Sequence, residues 1–107
     1  MPIILQRSSK PDKKYMIKHD NKTTHFGQAG ARDYTELHKK SSKHYLSRKE
    51  DREKVKKAYK SRHSNYSVTN PYKAGTLSMF LLWNKPTLSA SIKDYEKRFK
   101  VDIINKI

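Results

Sequence analysis

Cysteine is absent from this chain, so disulfide cross-links and thiolate metal sites are excluded. Acidic side chains are scarce. Ten Asp and Glu stand against 25 Lys and Arg, giving a formal charge of +15 over 107 residues. The ten acids are scattered or spaced to pair along a helix, which leaves little material for the carboxylate cluster of a metal-dependent nuclease. Hydrophobic runs are short as well: the longest, Met79–Trp83, has five residues, whereas a transmembrane helix needs about 20. The opening MPIILQRSSK offers Ile3, Ile4 and Leu5 and then turns polar, so no signal peptide is expected and the chain reads as soluble and intracellular. With three Gly there is no phosphate-cradling loop; the G-Q-A-G at 27–30 lacks the G-K-[ST] ending and reads as a turn.

What is present is positive charge on a foldable frame. Apolar residues make up 34% and charged residues 33%, leaner and more charged than a typical globular domain. One small core is therefore expected, with seven Tyr, three Phe and one Trp supplying much of its burial. Residues 1–12 read as a flexible N-terminal arm, because RSSKPDKK has a linker's composition, and 13–107 read as a single α+β domain. The stretch KKYMIKHDNKTTHFG predicts a β-hairpin turning at Asp20-Asn21, residue types that tolerate positive φ. That turn sets Tyr15 opposite Phe26, Ile17 opposite Thr24 and His19 opposite Lys22. Tyr15, Ile17, Thr24 and Phe26 then share the apolar face, with Met16, Lys18, Thr23 and His25 on the other.

Three or four helices should pack against the hairpin. Asp33 and Glu36 have capping-box spacing at the start of a short helix. Arg48–Arg62 predicts the main basic helix, its apolar stripe Val55, Ala58 and Tyr59, with Lys49, Lys56 and Lys60 opposite and Arg52 beside them. A bend near Ser47 is needed to return Leu46 to that stripe. Glu50–Lys54 and Glu53–Lys57 are spaced as i,i+4 pairs. Ala74–Asn84 is apolar around its whole circumference, which suits a core or an interface. Pro86 ends it and Thr87 caps a cleaner amphipathic helix with Leu88, Ile92, Tyr95 and Phe99 along one line. The tail Val101, Ile103, Ile104 and Ile107 continues that helix or returns as a strand.

The order KKYMI, THFGQAG, DYTE, KKAYKSRH and AGTLSMFLLWNKPTLSASIKDYEKRF resembles a family of small basic proteins of nucleocytoplasmic large DNA viruses, with chlorella-virus, mimivirus and Marseillevirus relatives. The likeness spans about residues 13 to 99, and LLWNKPTLSASI is its most specific block. Two departures stand out: a longer segment between Tyr34 and Lys49, and Met79-Phe80 where the family has a more polar or aromatic pair. The resemblance implies a viral origin, with a virion or a viral factory in the host cytoplasm as the compartment. It carries no activity and no catalytic residue.

The charge excess points to a polyanion. The expected nucleic-acid contacts are Lys39, Lys40, Lys43, Lys49, Arg52, Lys56, Lys60, Arg62 and His63, meeting phosphates with little regard to base sequence. Tyr45, Tyr66 and Tyr72 are candidates for base stacking. No cofactor, metal site or catalytic residue is expected, since the five histidines show no close ligand spacing. His25, Arg62 and His63 form the one set that would suit a phosphate-cleaving site, and surface or hydrogen-bonded histidines are the plainer reading. The alternative function is a minor capsid or internal-layer virion protein that meets acidic protein or lipid surfaces, with Phe80 and Trp83 as its interface anchors.

Overall fold

The computed structural model describes residues 2–63 and 69–107. Four strands form one mixed sheet in the order β3-β2-β1-β4. Strands β2 (Lys13–His19) and β3 (Lys22–Gln28) make the expected hairpin, and its register pairs Tyr15 with Phe26, Ile17 with Thr24 and His19 with Lys22. Asp20 and Asn21 take φ of 45° and 63°, the left-handed pair of a two-residue turn that matches strand twist. The Tyr15 and Phe26 rings meet at a tilt of 54° with centroids 6.0 Å apart. Met16, on the opposite face, is nonetheless buried, with Ser9 Oγ against its sulfur.

The N-terminal arm is corrected by the structure. Ile3–Arg7 is strand β1, antiparallel to β2 and parallel to β4 (Ile103–Asn105). Ile3 and Leu5 are fully buried, so the alternate side chains of IILQR point into the core like those of any half-covered strand. Of RSSKPDKK, Arg7 ends β1, Lys13 and Lys14 open β2, and only 8–12 connect them. The apolar tail resolves as a strand, pairing Ile3 with Ile103 and Leu5 with Asn105.

The helices cover one face of the sheet. Helix α1 (Tyr34–Leu37) is capped as expected, the Asp33 carboxylate accepting the Glu36 amide at 3.1 Å. The chain then turns through 38–48, and the Leu46 amide bonds back to the Leu37 carbonyl at 3.0 Å. That return is the bend expected near Ser47. Helix α2 (Lys49–Arg62) follows, and none of its residues is fully buried. Helix α3 (Ala74–Leu77) runs on into a π-helical turn, Ser78–Leu82. Leu77, Leu81, Leu82 and Trp83 join Ile3, Leu5, Ile17, Phe26 and Leu37 in the core. Helix α4 (Leu88–Phe99) starts from Thr87, whose hydroxyl accepts the Ala90 amide at 3.2 Å, and buries Ile92 and Tyr95. The Tyr95 hydroxyl donates to the Pro71 carbonyl, fastening the α3 approach to α4.

Two expected details differ. The packing side of α2 is Arg52, Val55, Lys56 and Tyr59, while Ala58 is exposed. The helix is rotated because Tyr59 lies flat on Trp83, 4.3 Å between centroids and 7° between planes. Glu53, spaced to meet Lys57, instead accepts from the Tyr34 hydroxyl at 2.8 Å.

Candidate nucleic-acid interface

One end of the hairpin, the loop after it, the last turn of α2 and the start of α3 line an open cavity of about 520 Å³. Strand β2 contributes Lys13 and Lys14, and β3 contributes His25, Phe26 and Gly27. The 31–33 loop adds Arg32 and Asp33, and α2 adds Tyr59, Arg62 and His63. Ser78, Leu82 and Trp83 close it from the α3 side. Gly27 is required there: its φ is +77°, and a Cβ at that position would lie 2.8 Å from Leu82 Cδ1. The π-helical turn presses Leu82 onto the strand, and the absent side chain makes room for it.

The electrostatics of this cavity are one-sided. Among its described lining residues Asp33 is the one carboxylate. It is 2% exposed and fully used, accepting from the Lys14 ammonium, from Thr35 Oγ1 at 2.6 Å and from the Glu36 amide. Lys14 also reaches the Ala31 carbonyl at 3.3 Å, so it holds the loop rather than the cavity's contents. Four cationic side chains against this one acid leave the lining three positive charges in excess. The two imidazoles are set by their neighbours. His25 Nδ1 and Ser8 Oγ share a hydrogen bond of 2.7 Å, which fixes the ring plane. His63 ends α2, with its ring 4.3 Å from that of Tyr59.

The nine residues expected to contact nucleic acid separate into three groups. Arg62 and His63 line the cavity. Lys39, Lys40, Lys43, Lys49 and Lys60 are exposed, Lys39 lying 3.6 Å from Glu36. Arg52 and Lys56 also serve the fold. Arg52 Nη1 donates to the Leu46 and Ser47 carbonyls at 3.0 and 3.1 Å, locking the bend before α2. Lys56 Nζ donates to the Asn84 carbonyl at 2.7 Å and lies 4.3 Å over the Tyr34 ring. Burial first, and then the Lys60 charge, hold the Lys56 ammonium below its usual range.

The aromatic candidates shift in the same way. Tyr72 stacks on His19 at 4.0 Å, so its face is taken, Tyr45 is half-buried, and Tyr66 lies outside the described residues. Trp83 is 5% exposed and stacked on Tyr59, which makes it a core residue rather than an interface anchor. Phe80 packs edge-on to Phe99 at 5.6 Å beneath the Arg98 guanidinium. His38 and His44 bond to the Tyr34 and Gly30 carbonyls at 2.8 and 3.0 Å. Among the described residues no group of three His, Asp or Glu is arranged to hold a metal ion, and no helix is long and apolar enough to cross a membrane.

Lys13, Lys14 and Arg32 escaped the sequence reading. Lys13-Lys14 and Arg32 lie in separate short strand and turn stretches, and their convergence with Arg62 depends on how α2 lies across the hairpin end. The pairing of His25 with Arg62 and His63 was visible as residue types suited to a phosphate, and the fold brings all three to one cavity.

Residues 3–49 match the model of a family described as a family of unknown function (DUF5754). The matched stretch contains Lys13, Lys14, His25, Arg32 and Asp33 of the cavity, while Arg62, His63 and Trp83 lie beyond it. No curated protein and no solved structure matches the chain.

Proposed function

We propose that this chain is a small, non-enzymatic accessory protein of a large DNA virus that binds nucleic acid, DNA foremost, through phosphate contacts with little sequence preference. It acts in the virion or in the viral factory of the host cytoplasm. The observation that carries this reading is the concave cationic lining of Lys13, Arg32 and Arg62, with its single carboxylate already neutralised by Lys14. A concave wall of one charge sign focuses potential and draws in a polyanion more strongly than scattered surface lysines do. Lys39, Lys40, Lys43, Lys49 and Lys60 extend the positive field outside it. Titration of labelled DNA and RNA at 50 and 200 mM salt tests the proposal. Several phosphate contacts should cost about three orders of magnitude in affinity over that range. Absent or salt-indifferent binding contradicts it.

The virion-shell alternative draws on the same positive charge, with Phe80 and Trp83 as anchors; Trp83 is buried in the core and Phe80 is half-buried against Phe99. One observation favours a different second reading, phosphodiester cleavage: His25 and His63 border the same cavity as Arg62, an acid–base pair beside a charge clamp. Incubating RNA and DNA with the protein, with and without divalent metal, decides it. Cleavage lost in both His25→Ala and His63→Ala supports this second reading, and intact nucleic acid excludes it.

A further inference from the structure

The geometry points to a preference of the cavity for a terminal phosphomonoester, the phosphorylated end of a strand or a mononucleotide, over the internal phosphodiesters that the exposed lysines meet. This inference rests on the nucleic-acid reading above and sharpens it. The first ground is charge. The lining holds three positive charges in excess. An internal phosphodiester brings one negative charge, whereas a phosphomonoester brings about −1.5 to −2 and three strong acceptor oxygens. Planar guanidinium groups, here Arg32 and Arg62, match such a terminal group with paired hydrogen bonds.

The second ground is shape and lining. A volume of about 520 Å³ lies within the range of cavities that take small organic ligands. Its wall is mixed in the way a nucleotide end requires. Cations and imidazoles of Lys13, His25, Arg32, Arg62 and His63 stand beside the hydrocarbon of Leu82 and the Tyr59–Trp83 stack. The phosphate belongs with the first set and the sugar and base with the second. The third ground is fixity. The Asp33–Lys14 pair clamps the 31–33 loop to β2, and Ser8 holds the His25 ring, so the loop that carries Arg32 and one imidazole are held in place before a ligand arrives.

Competition binding at about 150 mM salt tests this, with one oligonucleotide sequence carrying a 5′-phosphate, a 3′-phosphate or hydroxyls at both ends. At least one phosphorylated form should bind about tenfold more tightly than the hydroxyl form. In Lys13→Gln and Arg32→Gln that ratio should fall toward one. In Lys49→Gln, outside the cavity, both affinities should fall together and the ratio should persist. A mononucleotide that displaces the phosphorylated strand at similar concentration assigns the cavity to the terminal nucleotide itself. Equal affinity for phosphorylated and hydroxyl ends in the wild-type protein overturns the inference while leaving nucleic-acid binding intact. Failure of all strands to bind, even at low salt, overturns the underlying reading as well.

Discussion

Asp33 joins the cavity to the fold through three contacts. It caps α1, it accepts from Thr35, and it neutralises a lysine with only 15% of its side chain exposed. Replacing it by Asn keeps the cap and removes the charge, leaving the Lys14 ammonium in a poorly hydrated setting without its partner. Removing one member of a buried ion pair costs about 3 kcal/mol or more. Asp33→Asn should therefore lose about that much stability in urea denaturation, and a loss below about 0.5 kcal/mol, typical of a surface substitution, would contradict the role given to it. The capping spacing of Asp33 and Glu36 was readable in the sequence. The lysine was not, because residues 14 and 33 meet only once the hairpin has turned the chain back.

Among elements, the helices and the hairpin followed from local pattern, and β1 did not. The period of Leu88, Ile92, Tyr95 and Phe99 and the Asp20-Asn21 turn are both set within a dozen residues. Strand β1 gains half its pairing from β4, about a hundred residues away, and its five residues give too short an alternation to stand out beside a linker-like RSSKPDKK. As a central strand it must carry stability. Leu5→Ala empties a fully buried site and should cost about 3 kcal/mol; an effect near zero would restore the flexible arm. Helix α4 makes a pH prediction. Burial works to raise the Asp94 carboxyl, but hydrogen bonds from Asn84 and Arg98 and the Arg98 charge outweigh it and hold it below its usual value. A carboxyl whose folded value is depressed stabilises the fold above its unfolded value, about 3.9 for Asp, and loses that contribution as pH falls through the folded value. Stability should thus decline on acidification below about pH 4, and Asp94→Asn should make that limb shallower. An identical acid limb in the variant would count against the assignment.

At the level of the whole molecule, charge was the plainest signal in the sequence, and its arrangement was the hidden part. Net charge is a sum over residues, so +15 could be read directly. A helical wheel treats α2 as an isolated cylinder with its lysines outward. Packing rotated the helix onto Trp83, which gave Arg52 and Lys56 bonds to backbone carbonyls and set the last turn against the cavity. There Arg62 and His63 meet cations from the hairpin end, and a basic helix face becomes one wall of a cavity. Arg62 is the residue that both the sequence pattern and the cavity select.

The most direct check on this account is the salt dependence of DNA affinity, measured side by side for the wild-type protein and Arg62→Gln. If the Arg62 guanidinium meets a phosphate, the slope of log affinity against log salt should be steep in the wild type and shallower by about one in the variant. Two superimposable slopes would mean that the cavity takes no part in holding the polyanion.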